Sequence, residues 1–229
     1  MKRSIVLTLT ACLALSSSLA AQASDPRQDW LQATVQASNP VREQLAMLSQ
    51  PGQPLAIRVY HGPDLRALTG QPLLAYIDDR QLALSEGLLE QLRLLEHSPQ
   101  PAAARWTLLY VLAYLGARHP DLQSGNGPQP QQKALAMLSA LNQVLATAWE
   151  EAGRPQQPQQ RQQLLGQVMA QVPYARLLQP ALSANGQPGL RMDADGFVLD
   201  QANARLLASS LGNRTGHAGL ERLAVQAAR

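Results

Sequence analysis

Between Ala102 and His119 the chain reads AAARWTLLYVLAYLGARH, and from Trp106 to Leu115 only Thr107 interrupts an apolar run. A helix that is apolar on every side belongs inside a core. The run is shorter than the roughly 20 apolar residues needed to cross a bilayer. Pro101 and Pro120 bound it. The segment is therefore expected to be the buried central helix of a globular protein, ending at His119-Pro120, with no transmembrane helix in the mature chain.

What packs around that helix must be chosen from few aromatic side chains, since the 229 residues hold one Phe, three Trp and five Tyr. Leu, Ala and Val must fill the core, which favours close helix packing over a large aromatic-lined cavity. Asp25-Pro26 reads as a cap followed by Pro at the first helical position, with Trp30, Leu31, Thr34 and Val35 as its stripe. Asn39-Pro40 breaks that helix and starts a second, with Val41, Leu45 and Leu48 on one face up to Pro51-Gly52.

The period then changes. Leu55 to Tyr60 alternates, His61-Gly62-Pro63 is a turn, and Leu73 to Ile77 and Leu82 to Leu84 flank Asp78-Asp79-Arg80 like the arms of a hairpin. A small antiparallel sheet is expected here. It leads into a helix capped by Ser85, with Leu88, Leu89, Leu92 and Leu95 on the buried side. Beyond the central helix, residues 124–130 read as a loop, about Gln131 to Ala152 as a long amphipathic helix, and the Gln/Pro-rich run 153–163 as a polar linker fraying into the next helix. A helix from Leu164 to Val172 and a short one near Leu177 follow. A turn at Asn185-Gly186, a strand from Gly196 to Leu199, and helices over Asp200 to Leu211 and Ala218 to Ala228 complete the pattern. The fold class is α+β: one mostly helical domain over residues 24–229, with the small antiparallel sheet packed on the central buried helix.

The N-terminus carries an address. Lys2-Arg3, the apolar stretch Ile5 to Leu15, a Ser-rich spacer and Ala21-Gln22-Ala23 have the form of a secretory signal peptide over residues 1–23, cleaved after Ala23. The expected compartment is the periplasm. Cys12, the single cysteine, leaves with the signal, so thiol and disulfide chemistry are excluded from the mature chain. A competing reading takes Leu9-Thr10-Ala11-Cys12 as a lipobox, making Cys12 the site of a lipid anchor. Only Ser4 to Thr8 would then separate it from the charged residues, too short for a signal's apolar region. Losing Lys2 and Arg3 leaves 17 basic against 16 acidic side chains, and no basic stripe argues for nucleic acid.

The chemistry-bearing residues do not gather into a recognisable motif. His61, His97, His119 and His217 are isolated, with no second His or Cys at zinc-ligand spacing. His119, after Arg118, suits the negative end of the central helix. Asp193 and Asp195, with Gly196, occupy the third, fifth and sixth positions of a calcium loop. Arg191 stands where the leading carboxylate belongs and Ala202 where the bidentate Glu belongs, so a turn is the better reading. No Gly-x-Ser-x-Gly elbow, Ser-x-x-Lys pair or phosphate-binding glycine loop is present, and no cofactor is implied. For a hydrolase with a non-standard site, Asp78, Asp79, Glu86 and His119 are the candidate catalytic residues. Tyr114 would line such a site if the central helix faces a cleft.

The order of elements from Leu55 to His119 resembles that of bacterial envelope zinc metallopeptidases of the His-Glu-x-x-His type. Ser85-Glu-Gly-Leu-Leu89 looks like their helix start after a strand hairpin, and Val111-Leu-Ala113 like the run before their metal motif. The resemblance implies zinc on the central helix, but this chain continues Tyr114-Leu-Gly-Ala-Arg118, without either His or the Glu. A helix lacking two ligands at i and i+4 and a carboxylate to activate water has no zinc chemistry of that kind, so either the similarity is accidental or the fold persists as a non-catalytic scaffold. The leading functional expectation is a non-enzymatic periplasmic protein that binds another envelope protein or a cell-wall component. A hydrolase with a scattered site is the alternative, and an immunity or inhibitor protein against an envelope-acting toxin also fits the size and export.

Overall fold

The computed structural model describes residues 25–49, 55–78, 80–123, 130–175, 190–193, 196–199 and 223–225. The fold is α+β and mostly helical. Helix α1, Pro26–Gln36, starts as its sequence suggests: the Asp25 carboxylate accepts the Arg27 N–H at 3.0 Å and Pro26 takes the first turn. Helix α2, Asn39–Leu48, buries Val41, Gln44 and Leu45.

Three strands and a short helix follow: β1, Ala56–Tyr60; α3, Arg66–Thr69; β2, Ala75–Ile77; and β3, Gln81–Ser85. Strands β2 and β3 form the expected antiparallel hairpin, with Ile77 opposite Leu82. The sheet as a whole is mixed. β1 runs parallel to β3, with Ala56 opposite Gln81 and Tyr60 opposite Ser85. Strand β6, Leu223–Val225, runs parallel to β2 and completes the order β1-β3-β2-β6. Alternation in Leu55 to Tyr60 specifies a strand but not its neighbour. The path from β1 through α3 makes β2 return beyond the position β3 fills. β1 is one edge of the described sheet, and α1 partly covers it: Gln28 Nε2 donates to the Ile57 carbonyl at 2.9 Å, satisfying an edge acceptor.

Strand β3 passes directly into helix α4, Glu86–Glu96, where the Ser85 hydroxyl accepts the Leu88 N–H at 3.2 Å. Leu88, Leu89 and Leu92 face the core. The central helix is α5, Ala102–Gln123, which packs against α2, α4, the sheet and, most extensively, helix α6, Pro130–Glu151. Every residue from Trp106 to Leu115 is buried. The helix does not stop at His119-Pro120. Proline removes one hydrogen bond to the Gly116 carbonyl, and the packed turns before it carry the helix on to Gln123. Gly116 is where α2 approaches: a Cβ there would lie 3.0 Å from both Gln44 Nε2 and Leu48 Cδ2.

The Gln/Pro-rich run is shorter as a linker than its composition suggests. Helix α7, Pro158–Gln171, begins inside it, because Pro158 suits a first helical turn and glutamine is a good helix former. Leu164, Leu165, Val168 and Met169 then pack inward. Near the C-terminus, β4, Leu190–Asp193, pairs antiparallel with β5, Gly196–Leu199, the strand expected there. The helix expected over Ala218 to Ala228 is corrected by β6. The free edge of β2 offers backbone partners to Leu223–Val225, and that pairing outweighs a local preference for helix. The signal region, the loop 124–129, the short helix near Leu177, the turn at 185–186 and the helix over 200–211 lie outside the described residues. Among the described residues, no helix is long and apolar enough to cross a membrane.

Candidate functional site

Among the described residues, Glu86 is the one sequence candidate that the structure places in a cluster of charged groups. It is the first residue of α4, at the end of β3, and faces the loop that leaves β1. Its carboxylate accepts the Gly62 N–H at 3.0 Å and forms an ion pair with Arg27 of α1. The His61 ring nitrogen Nδ1 lies 3.6 Å from the same carboxylate and 3.4 Å from Arg27 Nη1. The backbone closes the arrangement: Gly87 N–H donates to the Gly62 carbonyl at 3.2 Å. A Cβ on Gly87 would lie 2.4 Å from the Pro63 carbonyl oxygen, so only glycine lets the loop come this near.

The electrostatics follow from those partners. The Gly62 amide and the Arg27 guanidinium, with a smaller contribution from His61, outweigh partial burial and hold the Glu86 carboxyl below its ordinary range. A carboxyl of that kind stays ionised at neutral pH, and its position at the start of α4 favours the negative charge further. It is therefore poorly suited to donate a proton as a general acid. What it does is join three elements: α1 through Arg27, the β1 loop through Gly62, and α4 through its own backbone. A second tie, from Trp30 Nε1 to Glu96 Oε2 at 2.7 Å, joins α1 to the far end of α4.

The other candidates are not brought to this cluster. Asp78 accepts the N–H groups of Arg80 at 2.8 Å and Gln81 at 2.9 Å, the work of a turn former between β2 and β3. Asp79 lies outside the described residues. His119 is in α5, but its side chain lies outside the described residues. Asp193 ends β4 opposite Gly196, and Asp195 lies outside the described residues. His97 caps the C-terminus of α4, with Nδ1 2.8 Å from the Arg93 carbonyl. Among the described residues, no three His, Cys, Asp or Glu side chains converge on a point that could hold a metal ion.

Tyr114 faces the interior and lines no open cleft: both it and Tyr110 are fully buried. It belongs to a polar seam that the apolar reading of α5 passed over. Thr107, Tyr110, Tyr114 and Arg118 are spaced by three, four and four residues, which places them on one stripe of the helix. Arg118 Nη1 donates to the Tyr114 hydroxyl at 2.9 Å, and the guanidinium carbon lies 5.7 Å from the centre of that ring. The ring of Tyr110 stacks on Tyr174 at 5.9 Å and 17°. Burial, then the nearby Tyr114 and Tyr174, push the Tyr110 hydroxyl well above its ordinary range and keep it neutral.

The residues sequence reasoning missed are Arg27, His61 and Gly62 as partners of Glu86, because Arg27, the His61-Gly62 loop and Glu86 come from different parts of the chain. The seam had a readable signal, the four-residue spacing of Tyr110, Tyr114 and Arg118. No family model matches this chain, and neither a curated protein nor a solved structure shows significant similarity to it.

Proposed function

We propose that the chain is a non-enzymatic protein of the bacterial periplasm that binds another envelope protein or a cell-wall component. The observation that carries this reading is the commitment of Glu86 to Arg27 and Gly62. An ionised carboxylate spent on joining α1, the β1 loop and α4 serves the fold, and Asp78 is likewise occupied by its own turn. The export signal over residues 1–23 and the near balance of charge in the mature chain support the compartment and argue against nucleic acid as the partner. In this reading the likeness to envelope zinc metallopeptidases is one of scaffold, with a packing helix where those proteins carry their metal.

The test uses the purified mature chain. Peptidase and glycosidase assays, with and without added zinc or calcium, are run alongside calorimetric metal titrations and co-sedimentation with purified cell-wall sacculi. The reading expects no turnover and no stoichiometric metal uptake. Turnover that disappears in Glu86→Gln while the fold is kept would replace it with the hydrolase reading.

A further inference from the structure

The polar seam of α5 holds a buried positive charge that has no counter-ion among the described residues. Arg118 is 9% exposed, and the ion pairs of the described residues join Arg27, Arg66, Arg105 and Arg154 to carboxylates but not Arg118. Its one hydrogen bond spends Nη1 on a neutral hydroxyl, while Nε is buried and has no partner. The Thr107 and Tyr110 hydroxyls on the same stripe are also buried without a hydrogen bond. An unpaired charge and three unsatisfied polar atoms along one face of the best-packed helix are costly. The negative end of α5 and the Tyr114 ring offset part of the charge, but neither engages the Nε–H.

We propose that Arg118 is the anchor of a binding site for an oxyanion, a carboxylate or phosphate group on a small ligand. With Nη1 held by Tyr114, the guanidinium keeps its Nε–Nη2 edge, the fork that grips two oxygens of one acid group, without a partner among the described residues. Tyr110 cannot supply the missing charge, since its hydroxyl is kept neutral, so the compensating anion comes from outside the seam. The site is separate from the Glu86 cluster and does not depend on the function proposed for the protein.

The experiment is thermal unfolding of the full mature chain in increasing sodium phosphate, sodium succinate and, at matched ionic strength, sodium chloride, repeated for Arg118→Met and Arg118→Lys. Phosphate or succinate should raise the wild-type Tm saturably while chloride does not, because a ligand bound only by the folded state stabilises it. Response to phosphate alone identifies a phosphorylated ligand, response to succinate alone a carboxylic acid, and response to both the shared chemistry. Arg118→Met should lose the response, and its unliganded Tm should equal or exceed that of the wild type. Arg118→Lys keeps the charge without the fork and should need at least a tenfold higher concentration for half the shift. If Arg118→Met does not fold, Arg118→Lys decides. An unresponsive wild type, an equal effect of chloride, or an undiminished response in either variant overturns the site.

Discussion

Gly87 and Pro63 approach so closely that a Cβ on the glycine would lie 2.4 Å from the proline carbonyl oxygen and 2.9 Å from its carbonyl carbon. The contact is between backbones, so neither side can yield by rotating a side chain. It brings the β1 loop against the first turn of α4, where Gly62 meets Glu86. Gly87→Ala should therefore destabilise the protein by about 1–3 kcal/mol despite alanine's higher helix propensity. Gly166, exposed in the middle of α7 with nothing within 4 Å of its would-be Cβ, is the control. Gly166→Ala should stabilise by roughly 0.5–1 kcal/mol. Urea unfolding of the two variants, with opposite signs of change, checks both.

Ser85 ends β3 and caps α4, with its side chain fully buried and its hydroxyl on the Leu88 N–H. Removing the cap in Ser85→Ala should cost about 1 kcal/mol. The midpoint of denaturant unfolding should fall with little change in slope, because the same surface is exposed on unfolding.

Leu112 is fully buried at the middle of α5, where the helix meets its neighbours. Leu112→Ala should cost about 2–5 kcal/mol through lost burial and the cavity left behind. Leu112→Asp places an unpaired charge in the core and should leave the chain unfolded by circular dichroism. A Leu112→Asp variant melting like the wild type would contradict the central place of α5.

These contacts show which parts of the fold could be read from residues alone. The central helix was legible because Trp106 to Leu115 is apolar in every direction, and the β2–β3 hairpin because Asp78 is a turn former between two apolar arms. Asp25 and Ser85 announced their helices by local capping chemistry. Less legible was anything that depended on a distant partner. β1 alternates like a strand whichever neighbour it has, and Leu223–Val225 becomes a strand only because the edge of β2 is there to receive it. The Glu86 cluster has the same character: Arg27, Gly62 and Glu86 are far apart in sequence, and no local pattern links them. The Tyr110–Tyr114–Arg118 stripe was visible as spacing, but tyrosine counts as apolar in a hydrophobic run, which hid a polar seam within it.

The Glu86 carboxylate ties α1, the β1 loop and α4 together, and its titration gives the most direct test of that role. Its pKa in the folded protein lies below the ordinary glutamate value. The stability it contributes is therefore complete above about pH 4.3, the unfolded value, and is lost as pH falls through the lower folded value. Urea unfolding of the wild type and Glu86→Gln should be compared from pH 7 to pH 2.5. The account predicts a less stable variant at pH 7, a difference that holds down to the ordinary glutamate range, and convergence of the two proteins as pH falls further. Equal stability at pH 7, or a variant more stable than the wild type, would contradict it.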